Sequence, residues 1–184
     1  MSEIKIINNL FSEAEISQIK PKLKHDNIIN GHLGRLQYNP ANLPFEIISK
    51  LENFVNSSFQ TKLTLSSVTC VEYSNKYGEP NLPIHWDHDN TDIIINYQFE
   101  SNTSWKIALD YDLYELEDNS ALIFNPNTLL HWRPHKIFKD DEFVKMIFFR
   151  FINLQNPSDY SHLDYTTGHE IFKEIEEFRS SLGT

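Results

Sequence analysis

From about residue 60 the chain falls into short apolar runs broken by Asn, Asp, Ser and Pro. "KLTLSSVTCVEYS", "TDIIINYQFE", "SWKIALDYDLYEL", "SALIFN" and "EFVKMIFFRFIN" are rich in Ile, Val, Phe and Tyr, as strands are. Such a series, with turn residues between its members, predicts an antiparallel sandwich or small barrel. Upstream the first fifty-odd residues read as helical. In "SEAE", Ser12 is a predicted N-cap with Glu15 three residues on, a capping box, and Pro21 requires the helix that follows to be short or kinked. "LPFEIISKLENFVNSSF" sets Phe45, Ile48, Leu51, Phe54 and Val55 along one helical face. The tail "TTGHEIFKEIEEFRSSLG" returns to helical spacing at Ile171, Ile175, Phe178 and Leu182, with Gly183 as a stop. The expectation is one domain: a helical lead-in over 1–60, a mainly β core over 61–153 and a helical tail over 154–184.

Composition narrows what that domain does. Hydrophobic residues make up 40% of the 184, enough for a sizeable core. The 26 acidic and 16 basic residues leave a formal charge of −10, which repels phosphate backbones, so no nucleic-acid partner is expected. One cysteine, Cys70, excludes an intramolecular disulfide and reads as a small buried hydrophobe on a strand. The acidic start "MSEIKIINNLFSEAE" does not read as a signal peptide, and no apolar run approaches a membrane span of about 20 residues. A cytoplasmic protein with no membrane partner is the expectation.

The candidate chemistry sits in "LPIHWDHDNTDIII". Residues i and i+2 of a strand share a face, so His85 and Asp87 can point inward together while Trp86 points away. An imidazole and a carboxylate so placed are two members of the 2-His-1-carboxylate set that binds non-haem iron and leaves positions open. The set needs a second histidine from a distant strand. "SALIFNPNTLLHWRPH" offers His131, which two leucines lead toward the interior, and His135, which follows Pro134 into a loop; His131 is preferred.

These segments, in this order, resemble the Fe(II)- and 2-oxoglutarate-dependent oxygenases, nearest to the prolyl-4-hydroxylase-like branch. The resemblance runs over residues 65 to 152 and rests on "CVEYSNKYGEPNLPIHWD", "TDIIINYQF", "SALIFNPNTLLH" and "EFVKMIFFRF". It implies a double-stranded β-helix, or jelly roll, with His85, Asp87 and His131 as iron ligands. It further implies Lys145 on the distal carboxylate of 2-oxoglutarate, with Tyr73 bonded to the same cosubstrate. Arg150 is the alternative to Lys145 if the strand slips by one residue, and Tyr77 the alternative to Tyr73. Alternation places Lys145 with Ile147, Phe149 and Phe151, and a lone cation on an apolar inward face needs an anion.

The implied activity is a dioxygenase reaction using Fe(II), 2-oxoglutarate and O2, with ascorbate as a candidate auxiliary reductant. It would hydroxylate an unactivated C–H of a small molecule or a peptidyl, including prolyl, substrate, with release of succinate and CO2. Two alternatives share the fold: a non-catalytic metal-binding or sensing protein, and a cupin-type metal enzyme that does not use 2-oxoglutarate. Around the triad, His88 reads as solvated or facing substrate, Trp86 and Trp132 as outer packing, and Asn96 as a pocket or structural amide. Arg133 reads as a solvated loop residue, with a pocket-mouth cation as the alternative.

Overall fold

A computed structural model describes residues 4–24, 28–32, 34–87, 90–155 and, near the C-terminus, 173–175, 177–178 and 180–181. Among the described residues two helices, α1 (Glu13–Ile19) and α2 (Phe45–Phe59), accompany ten strands, and residues 173–175, 177–178 and 180–181 are helical. These are β1 (Lys5–Ile7), β2 (Ile28–His32), β3 (Arg35–Tyr38), β4 (Thr64–Ser74), β5 (Ile93–Ser101), β6 (Ile107–Leu109), β7 (Asp112–Tyr114), β8 (Ser120–Phe124), β9 (His131–Trp132) and β10 (Phe143–Ile152). A seven-stranded sheet runs in the order β1-β8-β5-β10-β4-β3-β2, and a three-stranded sheet in the order β7-β6-β9. Every pairing is antiparallel. The architecture is a double-stranded β-helix with helices against the larger sheet.

Side-chain alternation divides the interior into layers. On β10, Ile147, Phe149 and Phe151 pack with Ile19, Ile47, Leu51 and Val55 of the helices. Val144, Met146 and Phe148, on the other face, pack with Trp105, Ile107 and Leu109 and so lie between the sheets. Both faces are apolar because both are covered. A third cluster, Ile84, Ala108, Leu130 and Trp132, lies beyond the small sheet and is closed by Ile175.

The capping box forms as the sequence requires. Ser12 Oγ accepts from the Glu15 amide at 3.3 Å, and Glu15 Oε2 accepts from the Ser12 amide at 2.7 Å. The helix stops at Ile19 and Pro21 falls in a single 3-10 turn. Ser12→Ala is expected to lower the unfolding free energy by about 1 kcal/mol, read from urea midpoints at constant m-value.

Several expectations are corrected. The lead-in is not purely helical, since β1, β2 and β3 lie within it and extend the large sheet. These strands are short and sit at or near the sheet edges, where only the partner strand makes their pattern a strand. On α2 the buried stripe is Ile47, Leu51 and Val55, spaced by four, while Phe45 at the helix start is 75% exposed. "SWKIALDYDLYEL" is a hairpin of β6 and β7, turned at Asp110, whose φ is 50°. Cys70 is buried, and burial pushes its thiol up to about 12, an inert packing residue as expected. Of the tail residues named above, Ile171, Leu182 and Gly183 lie outside the described residues, as does His88. No described helix is long and apolar enough to cross a membrane.

Candidate metal centre

His85 and His131 meet as an antiparallel bridge. The His85 amide donates to the His131 carbonyl at 3.1 Å, and the His131 amide returns the bond at 3.0 Å. Directly opposed residues in such a pair share a face, which brings the two imidazoles together with ring centroids 4.2 Å apart. The "HWD" pair therefore stands at a single bridge and the loop after it, not on a continuous strand; the next described strand begins at Ile93. Asp87 is fixed by its amide, which donates to the Pro126 carbonyl at 3.0 Å in the turn ahead of His131. Asp110 steadies the same segment from the other side. Its amide donates to the Leu130 carbonyl at 2.8 Å, and its carboxylate accepts from the Leu130 amide at 3.1 Å.

Backbone carbonyls select the tautomers. His85 Nδ1 lies 2.7 Å from the Pro83 carbonyl and His131 Nδ1 lies 3.2 Å from the Leu129 carbonyl. A carbonyl only accepts, so each Nδ1 carries the proton and each Nε2 presents a lone pair. Both Nε2 atoms lie 3.7 Å from Asp87 Oδ1. One donor atom from each of the three residues falls within 4.8 Å of the others. An ion bonded at about 2.1 Å to two donors bridges separations up to about 4.2 Å, so it can hold Asp87 together with either imidazole. Two neutral imidazoles and one carboxylate, aimed at one point, fit a divalent first-row metal.

His131 is buried, and burial pushes its pKa down to about 3, helped by the neighbouring His85 and opposed by the Leu129 carbonyl. In the unfolded chain the imidazole takes up a proton below about pH 6.5; in the fold it does so only near 3. Between those values the unfolded state binds more protons, so stability falls as pH falls. The metal-free protein is expected to lose stability steadily from pH 6.5 toward 3. His131→Asn should flatten that part of the profile, read from urea midpoints.

The cavity beside the triad has a volume of about 320 Å³. Arg150 lines it, with its Nη1 3.3 Å from Thr69 Oγ1. Lys145 does not. It lies on the helix-side face of β10, where its Nζ pairs with Glu100 Oε2 at 2.7 Å and sits 4.6 Å from the Phe143 ring centroid. Lys145 thus already has its anion. The alternation read from the sequence is right, but the face bearing Lys145 is turned toward the helices. His135 pairs with Glu79 at 3.5 Å, and Tyr77 packs on the helix side with its hydroxyl 3.4 Å from Glu72. Neither joins the triad.

Arg133 is the residue that sequence reasoning placed wrongly. It is 2% exposed, not a solvated loop arginine. Trp132 points outward, into the cluster beyond the small sheet, while His131 and Arg133 point inward. His131 stacks edge-on against Phe124, with centroids 5.3 Å apart. Arg133 donates to the Trp105 carbonyl, lies 4.8 Å from the Trp105 ring centroid, and places Nη2 3.5 Å from Met146 Sδ. Burial lowers its pKa to about 10, partly offset by Tyr73, and it stays charged at neutral pH. No carboxylate partners it among the described residues. Tyr73 shares this layer, edge-on to Trp105, and its buried hydroxyl has no hydrogen-bond partner. A buried cation without a carboxylate and an orphaned hydroxyl in one layer are both costly as they stand.

Neither a protein-family model nor a curated protein sequence matches the chain. Solved structures do match it in fold. A viral collagen prolyl hydroxylase from Paramecium bursaria Chlorella virus-1, in complex with 2-oxoglutarate, aligns with TM-score 0.56 at 13% identity, covering 80% of this chain and 94% of its own. HygX from Streptomyces hygroscopicus, with nickel and 2-oxoglutarate bound, aligns with TM-score 0.60 at 10% identity, covering 82% of each. SnoN, a non-haem α-ketoglutarate-dependent epimerase of nogalamycin biosynthesis, aligns with TM-score 0.65 at 7% identity, covering 88% of this chain and 83% of its own. The chain has the fold of the 2-oxoglutarate- and Fe(II)-dependent oxygenases.

Proposed function

We propose that the protein, built on that fold, is an Fe(II)- and 2-oxoglutarate-dependent dioxygenase that hydroxylates a C–H bond of a small molecule or short peptidyl substrate. The observation that carries this reading is Arg133. It is a buried guanidinium without a carboxylate, two residues along the inward side of the segment that bears His131. A cupin-type metal site that does not use a dicarboxylate has no need of such a residue. The solved structures of this fold include complexes with 2-oxoglutarate and with nickel.

His85, Asp87 and His131 would hold the iron, leaving positions for the oxo acid and O2. Arg133 and Tyr73 would take the distal carboxylate of 2-oxoglutarate, the guanidinium supplying the charge and the phenol a single hydrogen bond. Bound there, iron and 2-oxoglutarate supply oxidative decarboxylation to succinate and CO2 and a strong oxidant for the substrate. The chain's part is to orient the cosubstrate, aim both Nε2 atoms at the metal through the Nδ1 bonds to Pro83 and Leu129, and exclude water with the apolar layer of Leu82, Ile94 and Phe148. A hydroxylase and an epimerase both stand among the structures of this fold, and hydroxylation is the outcome proposed for this chain.

The test is an anaerobic titration of metal-free protein with Fe(II) and then 2-oxoglutarate, watched for the weak visible charge-transfer band of the chelated oxo acid. A saturable band with stoichiometric iron is the expected result. Iron bound without a band would refute the 2-oxoglutarate assignment.

A further inference from the structure

The ring of His131 is oriented through a single peptide. His131 Nδ1 donates to the Leu129 carbonyl at 3.2 Å, and the Leu130 N–H of that same peptide donates to Asp110 Oδ1 at 3.1 Å. A peptide unit is planar, so its C=O and N–H turn together. Whatever fixes the N–H therefore fixes the carbonyl that receives the ring proton. The next peptide, between Leu130 and His131, is held by backbone groups. The Asp110 amide donates to its carbonyl at 2.8 Å, and its N–H donates to the His85 carbonyl at 3.0 Å. The peptide that sets the ring is held by two side chains instead.

The sheet register explains why a side chain is needed there. β6 and β9 pair Ala108 with Trp132 and Leu109 with His131, so Asp110 comes next, opposite Leu130. In an antiparallel ladder such a pair exchanges two backbone bonds. Asp110 gives the first, but at φ 50° the chain turns there into the two-residue link to β7. The Asp110 carboxylate accepts from the Leu130 N–H in place of its carbonyl. The turn by itself asks only for a residue that tolerates a positive φ, which glycine meets best. A half-buried carboxylate adds a desolvation cost, seen in a pKa that burial raises and the Leu130 bond holds back.

Resting on the oxygenase reading above, we propose that Asp110 is a positioning residue for His131. Its carboxylate locks the Leu129–Leu130 peptide, whose carbonyl fixes the tautomer and rotation of the ring and so aims Nε2 at the metal. A metal-ligating histidine ordinarily takes a carboxylate or a backbone carbonyl directly on its far ring nitrogen. Here the carbonyl is the direct partner, and the carboxylate acts one step further out, across the peptide. The ring bond of His85 is 2.7 Å, whereas that of His131 is 3.2 Å, at the long end of N–H···O distances. A small tilt of the Leu129–Leu130 peptide would therefore break it.

The experiment reads the imidazole and the metal separately. Long-range 1H–15N spectra of the metal-free protein, assigned against His131→Asn, report which ring nitrogen of His131 carries the proton. Titration with Co(II), without 2-oxoglutarate, reports affinity and, through its d–d absorption, the arrangement of the ligands. Wild type should show one Nδ1–H tautomer and bind a single Co(II). Asp110→Gly takes a φ of 50° without strain. It should stay folded, mix the two tautomers of His131, weaken Co(II) by about tenfold or more and alter the d–d band. Asp110→Asn tolerates the same φ and offers an amide oxygen to the Leu130 N–H, so it should restore all three signals. Asp110→Ser, with a shorter acceptor, should fall between the two, and it replaces the glycine variant in the comparison if that one does not fold. The proposal is overturned if the acceptor-less protein keeps the wild-type tautomer and Co(II) affinity and loses only thermal stability, as a purely structural turn residue would. It is equally overturned if Asp110→Asn loses as much Co(II) affinity as Asp110→Gly. Failure of the wild type to bind Co(II) would instead fell the metal reading itself, and this one with it.

Discussion

Asp87→Ala is expected to leave the metal-free fold intact and to abolish both stable iron binding and succinate formation. Among the described residues Asp87 is the only carboxylate beside the two imidazoles, equidistant from their Nε2 atoms. It sits on a loop and is partly exposed, so its removal opens no cavity in any of the three core clusters. What the substitution removes is charge. Two neutral nitrogens are left to hold a dication between sheets, where uncompensated charge is costly. Metal catalysis supplies several kcal/mol, and each 1.36 kcal/mol is tenfold in rate, so turnover should fall by about 10³ or more. His131→Ala should cost as much activity but should also disturb packing, since the ring is buried against Phe124. Asp87→Ala is therefore the cleaner variant. Full turnover in it, with iron retained, would remove the triad from the chemistry.

How much of this was legible beforehand depends on whether a residue's surroundings are local. The iron-binding candidates were, because an i, i+2 pair ahead of an Ile run and a histidine after "SALIF" are patterns within single segments. The reciprocal bonds between His85 and His131 then follow from ordinary strand pairing. Lys145 was not local. Both faces of β10 are apolar, Val144, Met146 and Phe148 against Ile147, Phe149 and Phe151, so alternation separates the faces without saying which one the second sheet covers. That depends on where α1 and α2 pack, far away in sequence. The strands β2 and β3 were hidden for a similar reason, since "RLQY" has no amphipathic length of its own and becomes a strand only against β4.

Arg133 was legible in principle. The rule that joined His85 to Asp87 across Trp86 also joins His131 to Arg133 across Trp132, but the following Pro134 suggested that the strand had already ended. The backbone keeps going instead, with the Arg133 amide donating to the Leu82 carbonyl at 3.1 Å. What decides an arginine's exposure here is the extended path of its backbone, not the proline that comes next.

Replacing Arg133 by methionine should give opposite changes in stability and function. A guanidinium held in the protein interior without a carboxylate pays desolvation and recovers only a carbonyl bond, a sulfur contact and the face of Trp105. An apolar side chain of similar length removes that burden, and such replacements are neutral or stabilising by about 1–4 kcal/mol. The metal-free Arg133→Met protein should therefore melt at or above the wild-type midpoint. Its affinity for 2-oxoglutarate should collapse, because truncating one partner of a buried charge pair costs about 2–5 kcal/mol, or roughly 30-fold to several thousand-fold. Iron affinity in the absence of 2-oxoglutarate should be unchanged, since no triad atom is altered. Lys145→Ala provides the contrast: its loss breaks the pair with Glu100 and the contact with the Phe143 ring, away from the triad cavity, so the 2-oxoglutarate titration should match wild type. A purely structural Arg133 would give the reverse pattern, with stability lost and cosubstrate affinity kept. The same two measurements, thermal midpoint without metal and the anaerobic 2-oxoglutarate titration with it, therefore decide whether this buried charge exists for the fold or for a dicarboxylate.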